Sequence, residues 1–385
     1  MTGALVNPMR AALVLGLLGA SACSALTTMF AAPALQRDGP RPTLAGTPLR
    51  DWKGVVHCHS YLSHDSDGTV AEIVAAAHAA RVDFVMMTDH QTDASIRDGV
   101  RGRVDGVLFV VGAEVRTPQG TVMAFPLHTP LRRWQSAGAL VAEAGRQGAV
   151  TFLCHAENTR AWDVDGICGV EIVNLHAGAL AADRLEMLLW GFLLPLRATF
   201  GLLCQRNLEV FAGWDRQLGR RHPFTPVGGN DAHANVRIFG PFGGTIGTYR
   251  EVFLTLSTHV LAERLDEASL VEALRAGRTY VCFDLFGEGA GFDFHAEAGL
   301  AVSPVGATVT ASAALRLVAR APRPGRMRLL CDGVVCREVD GSALDLSDPA
   351  PGVYRIEVMT SSGAPWIFSS SIRVLGTAMP TLSCR

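Results

Sequence analysis

Three histidines and two aspartates fall between positions 57 and 67, inside "VVHCHSYLSHDSDGT" (55–69), behind a run of β-branched residues. On a strand, side chains two apart share a face, so His57 and His59 point one way and Cys58 the other. Two imidazoles on one face make half a metal site. "GGNDAH" repeats the spacing with Asp231 and His233, and single ligand-type residues close three further apolar runs: His90 in "FVMMTDH", Glu114 in "VLFVVGAE" and His155 in "AVTFLCH". A lone histidine after a strand is more often a hydrogen-bonded structural residue, but seven ligand-type residues at five run ends are poorly explained that way. Imidazole mixed with carboxylate, without thiolate, suits zinc, manganese or iron(II) rather than copper(I) or an iron–sulfur cluster. Such ions lower the pKa of bound water and can hold a bridging hydroxide, so hydrolysis is the predicted chemistry, with two or three ions.

Elements must bring these residues together. The apolar runs alternate with helix-like "VAEIVAAAHAAR" and "AGALVAEAGRQG", which predicts an α/β fold with a largely parallel sheet or barrel. Several runs are apolar on both faces, as buried parallel strands are. In a parallel β/α barrel the C-terminal strand ends meet around one mouth, so distant ligands converge on a single site. Glu171 and Asn174 in "GVEIVNLH", three apart, should face opposite sides, leaving one of them toward the mouth; His176 reads as a loop residue. Arg116 and Arg160 closely follow ligand positions and are either phosphate clamps or solvated surface charges.

From Leu185 to Trp214 the alternation breaks. The uncharged residues 187–196 are too few to span a bilayer, and Pro195 ends or kinks a helix. The expectation is a pair of inserted helices near 181–215 that covers the core, or forms a lid or a membrane-resting surface. Beyond about residue 300 the texture becomes alternation and turns, as in "ATVTASAALRLVARAP" and "VYRIEVMTSSGAPWIFSSSIRVL", which predicts a small all-β, sandwich-like domain. The expected boundaries are 1–36, a linker at 37–51, the α/β body at 52–298 and the β domain at 299–385.

Among 385 residues, 34 Lys and Arg stand against 36 Asp and Glu, so no overall basic field recruits nucleic acid. The N-terminus differs in kind: no charged residue lies between Arg10 and Arg37. That run, with "AALVLGLLGASAC", reads as an anchor helix, a lipoprotein signal ending at Cys23, or a cleaved signal after Ala20-Ser21-Ala22. Each reading places the body outside the cytoplasm, with membrane contact through the N-terminus. Of nine cysteines, only Cys331 and Cys336 look like a pair. A two-residue Asp332-Gly333 turn would leave them diagonal and hard to bond, a four-residue loop would set them opposite, and two buried thiols are the remaining alternative.

"HCHSYLSHDSDGT", "TDH", "GAE", "CH" and "NDAH", in this order, resemble the motifs of the PHP family, named for polymerase and histidinol phosphatase. The resemblance covers roughly residues 52–285. It implies a distorted seven-stranded β/α barrel with a trinuclear metal centre, phosphoester hydrolysis by a metal-bridging hydroxide, and the ligands His57, His59, His90, Glu114, His155, Asp231 and His233. One further ligand falls in "SHDSDG", where many members have a short Ser-Asp-Gly; a branch spelled Ser-His-Asp-Ser favours Asp65, with His64 and Asp67 as alternatives. His155 or His233 would also stand near the leaving group. "THVLAERLDEASLVEALRAGRTYVCFD" (258–284) resembles the post-barrel segment of a subgroup that includes carbaryl hydrolases, which implies a carboxylic or carbamate ester as the alternative to a phosphoester. A non-catalytic metal-binding module is the third reading, and an intact ligand set argues against it.

Overall fold

The computed structural model describes residues 46–175, 201, 204, 207–233, 236–237 and 245–376. The N-terminal hydrophobic segment with Cys23, His176 and most of the expected 181–215 insertion lie outside them.

The strands of the first part are β1 (Arg50–Cys58), β2 (Phe84–Met87), β3 (Gly102–Val104), β4 (Val107–Val111), β5 (Ala113–Thr117), β6 (Gly120–Phe125), β7 (Val150–Cys154), β8 (Gly169–Asn174) and β9 (Thr225–Ala232). A short pair, β10 (Val236–Arg237) and β11 (Thr245–Ile246), precedes β12 (Ser257–Ala262) and β13 (Thr279–Cys282). The rest is strand: β14 (Asp293–Ala298), β15 (Ala301–Pro304), β16 (Thr308–Thr310), β17 (Leu315–Cys331), β18 (Val334–Ser347), β19 (Gly352–Met359) and β20 (Pro365–Leu375). Six α-helices are described: α1 (Val70–Ala80), α2 (Asp93–Arg97), α3 (Ala137–Arg146), α4 (Leu208–Arg220), α5 (Tyr249–Phe253) and α6 (Glu267–Arg275). The protein is thus mixed α/β but mostly sheet.

Parallel pairing runs β4–β2–β1–β9–β8–β7. β6 pairs antiparallel with β7, and β5 antiparallel with β6. Along one edge β1 pairs with β12 over Arg50–Gly54 and then with β9 beyond Val56. Gly54 is required there, because a Cβ would meet the Phe84 ring at 1.9 Å. Both faces of these strands are buried. Val55, Val85 and Phe109 enter one apolar cluster with α1, α3 and α4, while Val56, Met86 and Val110 enter another with Met123, Phe152 and Val227. α1 starts with a reciprocal cap between Thr69 and Glu72, which holds the loop carrying residues 60–68 against a fixed helix end.

The C-terminal strands have a core of their own around Trp366, Phe294, Met327 and Ile356. They are nevertheless hydrogen-bonded to the first part, because β13 pairs with β20 through Tyr280↔Ser369 and Val281↔Phe368. In the β17–β18 hairpin Asp332 (φ 50°) and Gly333 (φ 81°) form a two-residue turn that pairs Cys331 with Val334. A register shift two residues back displaces Cys336 further. Both thiols are free, Cys336 exposed and Cys331 half-buried, so they are neither the bonded pair nor the two buried thiols that the sequence suggested.

Candidate metal centre

The ligand-type residues sit where the parallel strands β1, β2, β7 and β9 end, with Glu114 on β5 beside them. Plain strand alternation is not what turns them inward. His57 lies in a bulge: Val56 pairs with Met86 and Gly229, Cys58 with Met87 and Ala232, and the residue between has φ 70°. His155 (φ 48°), one residue past β7, and Asp231 (φ 47°), inside β9, are left-handed as well. Such a backbone costs roughly 1–3 kcal/mol per non-glycine residue and persists only where the surroundings dictate it. Three instances converge on one spot.

Glu114 is the hub of the cluster. Its Oε2 lies 3.3 Å from His57 Nε2, 3.4 Å from His59 Nε2 and 3.4 Å from His90 Nδ1, and its Oε1 lies 3.2 Å from His155 Nε2. Asp231 Oδ1 stands opposite, 3.2 Å from His57 Nε2 and 3.3 Å from His59 Nε2. Toward solvent, Asp65 Oδ2 lies 3.0 Å from His90 Nε2 and 3.4 Å from His233 Nε2. Three overlapping groups result, each with donor atoms within 4.8 Å of one another: His59, Asp65, His90 and His233; His57, His59 and Asp231; His57, Glu114 and His155. Of the three acidic-loop alternatives, only Asp65 enters a group. His64 and Asp67 are exposed, although the His64 ring lies 4.8 Å from that of His90.

The residues fit divalent cations. His59 Nε2 and Asp231 Oδ1, both buried, face each other without forming a hydrogen bond, an arrangement that a shared ion would satisfy. Charge points the same way. Burial alone would lower His57, but Asp231 and Glu171 outweigh it and hold the ring well above its ordinary pKa. Burial likewise opposes His155, which the neighbouring Glu114 and Glu157 carboxylates, at 3.2 and 3.8 Å, raise to about 10. Burial would raise Glu114, yet His155 and His57 hold it well below the carboxylate range. His233 goes the other way, to about 4, through burial and the neighbouring charge of His59. The carboxylates therefore demand positive charge that either protons on imidazole or bound cations can supply.

A surrounding layer fixes the rings. Ser63 Oγ lies 3.0 Å from His59 Nδ1 and accepts the His90 N–H at 2.8 Å, and Tyr249 Oη donates to the His59 carbonyl at 2.6 Å. None of these contacts is visible as a spacing, although Ser63 belongs to the quoted "SHDS". Glu171 and Asn174 both reach the site, contrary to the expectation that only one would. The cause is a bulge in β8: Glu171 pairs with Val227 and Val173 with Gly228, so the extra Ile172 restores Asn174 to the side of Glu171. Arg116 and Arg160 are exposed, and no described ion pair engages either. Arg116 sits two residues beyond Glu114 on β5, and the Arg160 backbone N–H donates to the Gln119 carbonyl at 2.6 Å.

No family model and no curated protein matches the chain. Among solved structures it is similar to a two-domain protein from Bacteroides vulgatus that contains a predicted PHP-like metal-dependent phosphoesterase, with 16% identity and TM-score 0.42 over 88% of this chain and 100% of that one. It is also similar to a candidate metal-dependent phosphoesterase from Bifidobacterium adolescentis, with 14% identity and TM-score 0.30 over 52% of this chain and 94% of that one. At these scores neither likeness carries the functional reading, which rests on the ligand geometry.

Proposed function

We propose that the chain is a metal-dependent phosphoesterase of PHP type, built on the family's distorted seven-stranded barrel and acting outside the cytoplasm on a small ester. The observation that carries the reading is Glu114, one carboxylate shared by four imidazoles from three different segments. His57, His59, Asp65, His90, Glu114, His155, Asp231 and His233 would hold two or three zinc, manganese or iron ions. Bound ions of this kind activate water and neutralise charge on the phosphoryl oxygens. Glu114 and Asp231 set the spacing of the sites, because each offers two oxygens to different groups of imidazoles. His155 and His233, the former partly open to solvent, flank the position of a leaving group. Arg116 and Arg160 are free to engage phosphate oxygens bidentately.

The test compares kcat/KM for p-nitrophenyl phosphate, bis-p-nitrophenyl phosphate and an aryl carbamate after metal-replete expression. A phosphate ester should be preferred. Preference for the carbamate by tenfold or more would replace the phosphoesterase reading with the carbamate one, and no turnover of any ester by metal-loaded protein would leave a binding module.

A further inference from the structure

Behind the ligand cluster lies a carboxylate that no ligand group includes. Glu171 on β8 is 2% exposed. Three donors converge on it: His57 Nδ1 at 2.8 Å on Oε1, and the His155 backbone N–H at 3.0 Å and Asn174 Nδ2 at 2.9 Å on Oε2. Asn174 Nδ2 also lies 3.2 Å from Asp231 Oδ2. Glu171 thus touches, directly or through Asn174, all three residues of the cluster whose backbone is left-handed. Room for it is made on purpose. A Cβ on Gly229 would meet Glu171 Oε1 at 1.5 Å, so the second glycine of "GGND" has to be glycine for the carboxylate to reach His57.

We infer that Glu171 is the positioning residue of the inner metal site, fixing His57 as the Nδ1–H tautomer and pinning the His155 backbone turn. The inference rests on the metal-holding part of the reading above and is independent of which ester is cleaved. The donor count excludes a substitute. Both oxygens must accept, and only a carboxylate has two acceptor ends; an amide would set its NH2 against either the His57 ring N–H or the pair of N–H donors from His155 and Asn174. With Nδ1 committed to Glu171, His57 Nε2, on the side of Glu114 and Asp231, would be the atom left to give its lone pair to a bound ion. That orientation is what a ligating histidine needs, and carboxylate partners of this kind typically change metal affinity 10- to 100-fold, as an order of magnitude.

The experiment titrates cobalt(II) into metal-stripped full-length protein, wild type and Glu171→Gln, with a chelating dye as competitor and the visible cobalt spectrum as a second readout. Glu171→Gln should weaken the ion held by His57, Glu114 and His155 by about 10- to 100-fold. The ion held by His59, Asp65, His90 and His233 should bind as in wild type. Wild-type affinity at both sites overturns the inference, and so does an equal loss at both, which would mark a general loosening of the fold. Should the variant not fold, ring-nitrogen chemical shifts of zinc-loaded wild type decide. A proton on His57 Nδ1 supports the assignment, and one on Nε2 overturns it. Failure of every ion to bind wild type would instead remove the metal site and with it the proposed function.

Discussion

Arg355 and Asp215 grip each other through two parallel bonds, Nε to Oδ1 at 2.7 Å and Nη2 to Oδ2 at 2.9 Å, joining β19 to α4. The guanidinium is buried, lies 4.7 Å above the Trp214 ring, and spends its remaining nitrogen on Glu357 at 2.7 Å. Removing one partner of a buried pair costs about 3–5 kcal/mol, since the other charge is left without solvent. Asp215→Asn should lose about 3 kcal/mol, the lower end, because Glu357 remains. Urea unfolding with an unchanged slope would register it. Asp215→Leu, Arg355→Met and Glu357→Met together should recover much of the loss, since no buried charge is then left without its partner, and no difference between the single and triple variants would show that the pair does not link the two elements.

Glu114 lies within 3.4 Å of histidines that belong to all three groups, so its loss should not be local. Glu114→Gln is expected to release more than one ion per chain by elemental analysis and to reduce kcat/KM at least about 100-fold. Replacement of Asp65, which joins only the outer group, should release one. Equal ion counts in the two variants would contradict the hub geometry.

Arg116 and Arg160 are exposed, so stability should be indifferent to them. Arg116→Ala and Arg160→Ala are each expected to raise KM for a phosphate ester about tenfold, the scale of a hydrogen bond to a charged group. The melting temperature should stay within error. A carbamate substrate should not sense either change, and unchanged KM for the phosphate ester would assign both arginines to the surface.

His222 offers a pH readout away from the metal ligands. Burial, with the nearby charge of Arg373, lowers its pKa to about 4, although a hydrogen bond to the Ser371 carbonyl opposes this. Between the ordinary value of 6.5 and about 4, the unfolded chain therefore binds more protons than the folded one. The contribution is present above pH 6.5 and lost as pH falls through about 4. His222→Gln should accordingly lose less stability than wild type on acidification across that window, as read from thermal unfolding at stepped pH. Parallel curves would refute the shift.

Much of the centre is legible in the residues themselves. Imidazole and carboxylate at the ends of apolar runs, in an order that resembles a known family's motifs, pointed to the convergence of His57, His59, His90, Glu114, His155, Asp231 and His233. What the period of two could not give was the bulges. His57 is turned inward by an extra residue, and Ile172 turns Asn174 back beside Glu171. Register shifts of this kind follow from pairing with a neighbour distant in sequence, which a single strand does not encode. The same limit applies to Cys336, whose placement depends on a slip against Leu329 and Leu330. The alternation of apolar runs with helix-like stretches gave the mixed α/β class but not the share of sheet, because β3, β4, β5 and β6 succeed one another with no helix between, β3 with β4 and β5 with β6 as antiparallel pairs.

The pairing of β13 with β20 sets an order of events during synthesis. Every strand that bears a ligand emerges from the ribosome before residues 365–375, yet β13, which stacks beside β12 and through it on β1, has its free edge covered only by that late strand. Until then the nascent chain carries ligands ready to capture ions and an open edge ready to capture other chains. A ribosome stalled before β20 would therefore hold a product whose β13 edge is open and prone to pair with other chains.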